Sequence, residues 1–388
     1  VFYPRILQLK GSENMNREFY NDLTEQSLAG QILDSATCQK ILISPQIDIF
    51  PLVNAAYDVR KKHHGKVVSI HIINNAQNGY CPEDCHYCAQ AKSSQADIQE
   101  YPLKPDDEIF AEAKNAYESG AFRYCMVFAG RGPSDRRIDH LANLIRQIKA
   151  QYPIEVCVSA GLMNKEKAQI LKNAGLDRLN HNLNTSEKNY SNVCTTHTYA
   201  DRLNTLKAAK EVGLEVCSGI IVGMGEKSSD LIDVALQLRK VEAKSIPINF
   251  LISIEGTALK EQSTLTPEYC LRIVCLFRFL NPSAEIRIAA GREIHLRELE
   301  ILSLYAANSL FMDGYLNTRG SSRLKTLQMI RDAGFTINSE QNLDELLTQE
   351  SESLIEKTVG ERELFLKNLR DLRPFLAEST LTPIRKCG

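Results

Sequence analysis

From residue 67 onward, short β-branched runs alternate with stretches of helix length, and this alternation restricts the chain more than any other feature. The strand candidates are 67–73, 122–128, 154–158, 178–183, 215–222, 247–252, 285–289 and 309–312. Stretches 106–119, 136–151, 164–174, 200–212, 228–240 and 267–279 carry the helical spacing between most of them. Such alternation implies a parallel sheet with right-handed crossovers. Eight strands of this kind close into a TIM-type (β/α)8 barrel, whose functional groups gather at the C-terminal ends of the strands. A doubly wound open sheet fits the same alternation. Ahead of the barrel, Leu28, Ile32, Leu33, Cys38 and Ile41 recur at helical spacing, and 49–59 offers a second apolar face. The expected organisation is an N-terminal helical segment at 1–62, a barrel at 63–337 and a C-terminal extension at 338–388. In the extension, Leu343, Leu346, Leu347 and Leu354, then Leu364, Leu366, Leu369 and Leu372, suggest helices of unassigned role. Met15 resembles a conventional start, so residues 1–14 are given no structural weight.

Composition narrows the function classes. A chain of 388 residues with 43% hydrophobic content can bury a large core. A formal net charge of −2 supplies no basic surface for nucleic acid, which leaves a small molecule as the expected substrate. No apolar run approaches the roughly eighteen residues of a bilayer span, and the first residues do not read as a secretory signal, so a cytoplasmic location is expected. Eleven cysteines in such a setting point to metal or redox chemistry, and an odd number cannot all pair. Cys38, Cys270, Cys275 and Cys387 are expected to be bystanders, and Cys194 is unplaced.

The run Gly-Tyr-Cys-Pro-Glu-Asp-Cys-His-Tyr-Cys at 79–88 follows the first strand candidate. Soft thiolates at short spacing select zinc or iron-sulfur over hard cations. Iron-sulfur clusters normally take four thiolates, so Cys81, Cys85 and Cys88 leave one iron of a four-iron cluster without a protein ligand. Zinc is the rival; it wants a fourth Cys or His, and His86 is too close in sequence to close a tetrahedron comfortably. The C-x3-C-x2-C run, with Tyr87 before its third cysteine, resembles the signature of radical S-adenosylmethionine enzymes. That resemblance implies a [4Fe-4S] cluster whose open iron binds S-adenosylmethionine and cleaves it to a deoxyadenosyl radical.

Cys125, Cys157 and Cys217 fall in three different strand candidates. Alternation places Arg123 and Val127 on the face of Cys125, and Glu215 and Gly219 on the face of Cys217. Three thiols can therefore meet inside a barrel; read singly, each is an ordinary core cysteine.

Further segments carry a specific resemblance: Gly-Arg-Gly-Pro-Ser (130–134), Asn-His-Asn-Leu-Asn-Thr-Ser (180–186), Thr-Thr-His-Thr-Tyr (195–199), Val-Cys-Ser-Gly (216–219), Gly-Met-Gly-Glu (223–226), Ile-Pro-Ile-Asn (246–249), Ala-Gly-Arg-Glu (290–293) and Ala-Asn-Ser-Leu-Phe (307–311). With the cysteine run they resemble the biotin synthase family over roughly 25–337. The resemblance implies a part that binds S-adenosylmethionine at about 63–240 and a part associated with biotin and thiamin synthesis at about 241–337. It implies that Cys81, Cys85 and Cys88 hold the [4Fe-4S] cluster, and that Cys125, Cys157, Cys217 and Arg292 hold a [2Fe-2S] cluster. Read from chemistry alone, Arg292 is an anion clamp or a core ion pair, since guanidinium has no lone pair to spare.

By the same resemblance Arg202 grips the carboxylate of S-adenosylmethionine, and Asn182, Asn184, Gly223 and Gly225 contact that cofactor. Asn182, Asn249 and Arg123 would face the substrate. The implied reaction is the last step of biotin biosynthesis: dethiobiotin gives up hydrogen to the radical and takes sulfur from the [2Fe-2S] cluster. A flavodoxin- or ferredoxin-type reductant and a homodimer are implied with it. No side chain is assigned as an acid or base. Two other readings stay open at this point: a radical mutase or dehydrogenase on the same barrel, and a non-catalytic iron-sulfur protein.

Overall fold

The computed structural model describes residues 6–259 and 264–350, with backbone pairing also given at 358–359 and 362–363. Ten strands form the main sheet: β1 (Val67–Gln77), β2 (Arg123–Phe128), β3 (Glu155–Ser159), β4 (Arg178–Asn180), β5 (Glu215–Cys217), β6 (Ile220–Val222), β7 (Ser245–Phe250), β8 (Glu285–Ile288), β9 (Ser309–Met312) and β10 (Thr336–Ile337). They run parallel in the order β1-β2-β3-β4-β5-β7-β8-β9, and β9 pairs back onto β1 with Ser69 opposite Ser309. The sheet is thus a closed barrel of eight strand positions, with β5 and β6 sharing one of them. β10 pairs only with the start of β1, at Val67 and Val68.

The expected strand 215–222 is interrupted at Ser218 and Gly219. A Cβ on Gly219 would stand 1.9 Å from the Pro247 carbonyl oxygen, so β7 crosses too close for any side chain there. The break puts Gly219 outside the strand that carries Cys217, and Glu215 is exposed.

Why these helices pack where they do follows from their sequences. Helix Tyr199–Glu211 opens with a capping box: Thr198 Oγ1 accepts from Asp201 N at 3.1 Å, and Asp201 Oδ2 accepts from Thr198 N at 2.8 Å. Helix Pro267–Leu280 has proline in its first turn and the Thr266 side chain as its cap. Every residue from Cys270 to Leu280 in that helix is buried. A helix apolar all round needs cover on its outer side. Helices Ile6–Leu28, Ser35–Ile43 and Ile49–His64 supply it, so the N-terminal helices act as an outer wall to the barrel rather than a separate body. Each fully buried Leu, Ile or Phe in this second layer contributes about 1.5–3 kcal/mol. Two buried arginines stitch the layers: Arg272 donates to the Ile41 and Ile47 carbonyls, and Arg278 to those of Ala306 and Ala284.

Helix Ile6–Leu28 runs on both sides of Met15, so the backbone treats 6–14 as part of it. In the C-terminal extension, Leu346 and Leu347 of helix Leu343–Glu350 are buried against helix Arg323–Asp332. The leucines expected to continue that pattern from Leu354 onward, and Cys387, lie outside the described residues. No helix among the described residues is long and apolar enough to cross a membrane.

Candidate active site

The barrel interior is layered, and strand alternation sets the layers. Arg123, Cys125 and Val127 on β2 point inward at successive heights. The lowest layer is ionic: Arg123 donates to Glu155 Oε2 (2.8 Å from Nε) and to both Glu285 oxygens at 3.1 Å. Burial works upward on the Glu285 carboxyl, but the Arg123 and Arg287 charges and a hydrogen bond from His71 outweigh it and hold its pKa well below the ordinary range. Burial, reinforced by Arg287, pushes His71 well below its usual value, so it sits among these groups uncharged.

One layer up stand the inner thiols. Cys125 lies opposite Cys157 in the β2–β3 register, and Asn180 opposite Cys217 in β4–β5. Cys125, Cys157 and Cys217 form one buried group with Ala289, Phe311 and Tyr315, at 6%, 3% and 1% exposure for the thiol residues. The Asn180 side-chain amide donates to Cys217 Sγ at 3.2 Å. Arg287 Nη1 lies 3.8 Å from the same sulfur, while Arg287 Nη2 donates to Ser245 Oγ at 2.6 Å. The Arg287 Nε is buried without a hydrogen-bond partner among the described residues. Three thiols and a buried guanidinium with an unmet donor suit an anionic cluster with sulfide of its own.

Above them the loop after β1 carries the outer thiols. Gly79 and Tyr80 both take positive φ, 82° and 54°, and turn the chain across the barrel mouth. Cys81 and Cys88 line the cavity, and Cys88 N donates to the Cys85 carbonyl at 2.9 Å, closing the turn between the second and third cysteines. The loop is pinned to 192–197 by side-chain and backbone hydrogen bonds. Asp84 Oδ1 accepts from Thr195 N at 2.9 Å and Thr196 N at 3.1 Å; His86 N donates to the Val193 carbonyl at 2.9 Å. His86 faces that second loop through Nδ1, 2.8 Å from the Asn192 carbonyl, rather than the thiols. Burial works upward on Asp84 as well, but the Thr195 and Thr196 donors outweigh it and hold it well below the usual carboxylate range.

Cys81 and Cys88 of the outer group and Cys125 and Cys157 of the inner group line one cavity of about 390 Å³. Its wall includes Asn182, Asn184, Asn249 and Arg202, as expected for contacts to small ligands. Asn184 has φ 68°, and its amide donates to the Tyr87 hydroxyl at 2.5 Å, which ties the aromatic of the cysteine run to β4's exit loop. Arg202 is 8% exposed and has no carboxylate partner among the described residues; its Nη1 donates to the Asn182 carbonyl at 2.7 Å. A buried cation without a counter-ion, on the wall of a cavity, is suited to an incoming carboxylate.

Several expectations need correction. Arg292 does not reach the inner thiols: it lies past the end of β8, in helix Arg292–His295, bound to Glu300 Oε1 at 3.0 Å and to the Phe311 carbonyl at 3.1 Å. Arg287 is the arginine beside them, with Nη1 3.8 Å from Cys217 Sγ. Alternation along β8 turns Arg287 inward between Ile286 and Ile288, which was readable from the sequence and was missed. Arg123 is fully buried in the ionic layer beneath the cysteines and is absent from the cavity wall. Gly223 and Gly225 also stay off the wall. Their loop folds over the Glu226 carboxylate, which accepts from Gly223 N and Met224 N at 2.7 Å each. Cys194, unplaced from its sequence context, lies beside the cysteine loop: its Sγ is 3.8 Å from Cys85 Sγ and 3.3 Å from His197 Nδ1. Cys38, Cys270 and Cys275 are fully buried helix residues.

Residues 78–238 match the radical SAM superfamily and 247–336 match the Biotin and Thiamin Synthesis associated domain. The fold alone is shared with two solved structures. The FeFe-hydrogenase maturase of Carboxydothermus hydrogenoformans superposes with a TM-score of 0.70 at 18% identity, over 87% of this chain and 83% of that one. A methylornithine synthase gives 0.68 at 17%, over 84% and 99%. The closed barrel with its three-cysteine loop therefore defines a radical SAM enzyme, a class that works with a [4Fe-4S] cluster and S-adenosylmethionine. Relatives narrow the class. The biotin synthase of Magnetococcus marinus is 55% identical over 315 residues, covering 81% of this chain and 98% of the relative. That of Bacillus velezensis is 45% identical, covering 82% and 94%. The chain belongs to the biotin synthase family.

Proposed function

We propose that this chain converts dethiobiotin to biotin by radical sulfur insertion, with Cys81, Cys85 and Cys88 holding a [4Fe-4S] cluster and Cys125, Cys157 and Cys217 holding a [2Fe-2S] cluster. One observation carries the reading: Cys81 and Cys88 of a three-cysteine loop and Cys125 and Cys157 of a three-cysteine strand cluster line a single cavity. A mutase or dehydrogenase has no use for the inner set, and a non-catalytic protein has none for the cavity between them. When bound, the clusters and S-adenosylmethionine supply a radical able to take hydrogen from an unactivated carbon and a sulfide for the new C–S bonds.

The chain's own residues do the rest. Arg202 takes the cofactor carboxylate. Asn182 and Asn184 offer donors and acceptors to its ribose. Asn249, held by its amide on the Ile220 carbonyl at 3.0 Å, faces the substrate's cyclic urea. Arg287, braced by Ser245 and Glu285, stands as the fourth group at the inner cluster, in the place first expected of Arg292. Ile73, Phe128, Ile252, Ile254 and Phe311 give the cavity apolar walls that keep water from a hydrogen-abstracting radical.

The part at 63–240 would bind the cofactor and that at 241–337 the substrate side. Family likeness supports a homodimer, a flavodoxin- or ferredoxin-type reductant and a cytoplasmic setting. The test is anaerobic reconstitution followed by iron and acid-labile sulfide counts, then incubation with reductant, S-adenosylmethionine and dethiobiotin. Both cluster types, deoxyadenosine and biotin are expected. One cluster type and no biotin would overturn the proposal.

A further inference from the structure

Arg202 does not stand alone at the cavity wall. A guanidinium carries five N–H donors. Three of Arg202's are engaged by the Tyr190 hydroxyl, the Asn182 carbonyl and His197 Nε2, the last at 2.9 Å from Nη2. Guanidinium can only donate, so His197 Nε2 must be the accepting nitrogen, and the ring proton belongs on Nδ1. Nδ1 lies 2.5 Å from Glu83 Oε2, a carboxylate placed to take that proton in a hydrogen bond, with Cys194 Sγ a second neighbour at 3.3 Å. Glu83 is itself fixed by Thr196 Oγ1 at 2.6 Å and by Arg131 Nη1 at 3.1 Å. Glu83 and His197 are 5% and 7% exposed, so water does not compete for these bonds.

The connection runs from the cysteine loop to the cofactor-facing arginine through one imidazole. Glu83 sits between Cys81 and Cys85; His197 lies one turn before Arg202, at the entrance to its helix. We propose that Glu83 and His197 are positioning residues for S-adenosylmethionine: the Glu83 carboxylate fixes the imidazole tautomer, and the imidazole aims Arg202 while leaving its charge uncompensated. A carboxylate directly on Arg202 would hold the side chain equally well but would repel the ligand. An imidazole lone pair holds it without spending the charge. The arrangement also makes assembly of the cysteine loop a condition for aiming the arginine, because Glu83 is carried by that loop. The inference rests on Arg202 gripping the cofactor carboxylate.

The test measures S-adenosylmethionine binding by equilibrium dialysis on anaerobic enzyme loaded with clusters, and the kinetic constants for both substrates. His197→Leu removes the acceptor. Glu83→Gln keeps the shape but can donate to Nδ1, which turns the other nitrogen into a donor facing Arg202. His197→Gln keeps an acceptor for Arg202 and a donor for Glu83, and is the rescue variant. We expect Glu83→Gln and His197→Leu to weaken binding by about tenfold or more, the scale of a lost hydrogen bond to a charged group, with His197→Gln recovering most of it. KM for S-adenosylmethionine should rise with kcat and KM for dethiobiotin little changed, at iron contents equal to the parent enzyme. If Arg202→Met loses binding while Glu83→Gln and His197→Leu bind as the parent does, the positioning inference is overturned and the Arg202 reading stands. If Arg202→Met binds normally, the Arg202 reading fails and takes the inference with it. Equal loss in His197→Leu and His197→Gln, or a fall in kcat as large as the rise in KM, would mark a merely structural role and also overturn it.

Discussion

The outer and inner thiols of this barrel are held by different means. Cys81, Cys85 and Cys88 are only partly buried and ride on a loop whose shape is fixed by side chains: Asp84 on Thr195 and Thr196, Glu83 on Thr196, His197 and Arg131. Cys125, Cys157 and Cys217 are buried and owe their spacing to strand register. A loop held by a handful of hydrogen bonds can open at a fraction of the cost of unfolding the barrel, whereas the inner site opens only with the sheet. The outer position thus suits a centre that must admit a cofactor at every turnover. The inner one suits a centre whose geometry must not drift while it faces a substrate.

The largest expected contrast is chemical. Cys81→Ala should abolish both deoxyadenosine and biotin, each by about a thousandfold or more, roughly 4 kcal/mol of lost transition-state stabilisation. Cys157→Ala should abolish biotin to a similar extent while deoxyadenosine is still formed. Product analysis of both variants checks this, and biotin formation at the parent rate by Cys157→Ala would break the division of labour.

A contrast in stability comes next. Gly219→Ala would drive a Cβ to 1.9 Å from the Pro247 carbonyl oxygen, with no flexible side chain to give way, and should cost about 3 kcal/mol or more. Gly130→Ala, near the outer site, has open space around it and meets only the penalty of its φ of 140°, about 1 kcal/mol. Denaturant unfolding of the two variants measures the difference. Equal losses would show that the loop region is packed as tightly as the barrel.

The smallest effect concerns pH and separates the regions again. Asp84 has a folded pKa below its unfolded value of about 3.9, so its contribution is complete above that value. It falls away as pH drops from about 4 through the folded pKa, because protonation removes the acceptor charge that Thr195 and Thr196 share. Loosening of about 1 kcal/mol is expected at 192–197, with the β2–β3 amides unaffected. Hydrogen-exchange protection at the Thr195 and Thr196 amides checks it, and Asp84→Asn should reproduce the acid behaviour at neutral pH. Unchanged protection in that variant would show that the loop is held by something other than Asp84.

Much of this was legible in one dimension. The period of two in 122–128 and 154–158 set which way Cys125 and Cys157 face, and the change to helical spacing between strands set a parallel sheet, which the β9–β1 pairing closes into a barrel. The spacing of Cys81, Cys85 and Cys88 carried its own chemistry, since a short loop brings its own residues together. Motif likeness points past the end of a strand to Arg292, whereas alternation along β8 turns Arg287 inward. Likeness likewise opens the glycines at 223 and 225 to a ligand, whereas Glu226 closes that loop on itself.

Local sequence thus determined most of the elements, their order, the inward face of Cys125 and Cys157 and the three-thiol loop, because periodicity and short spacing act through neighbours. Only the tertiary structure decided that Cys194 would lie beside Cys85, that Glu83 would reach His197 across the barrel mouth and that Arg123 would sink into an ionic layer while Arg287 rose beside Cys217. These meetings join residues far apart along the chain. They depend on barrel closure and on which buried charges find partners, and neither is encoded in any single segment.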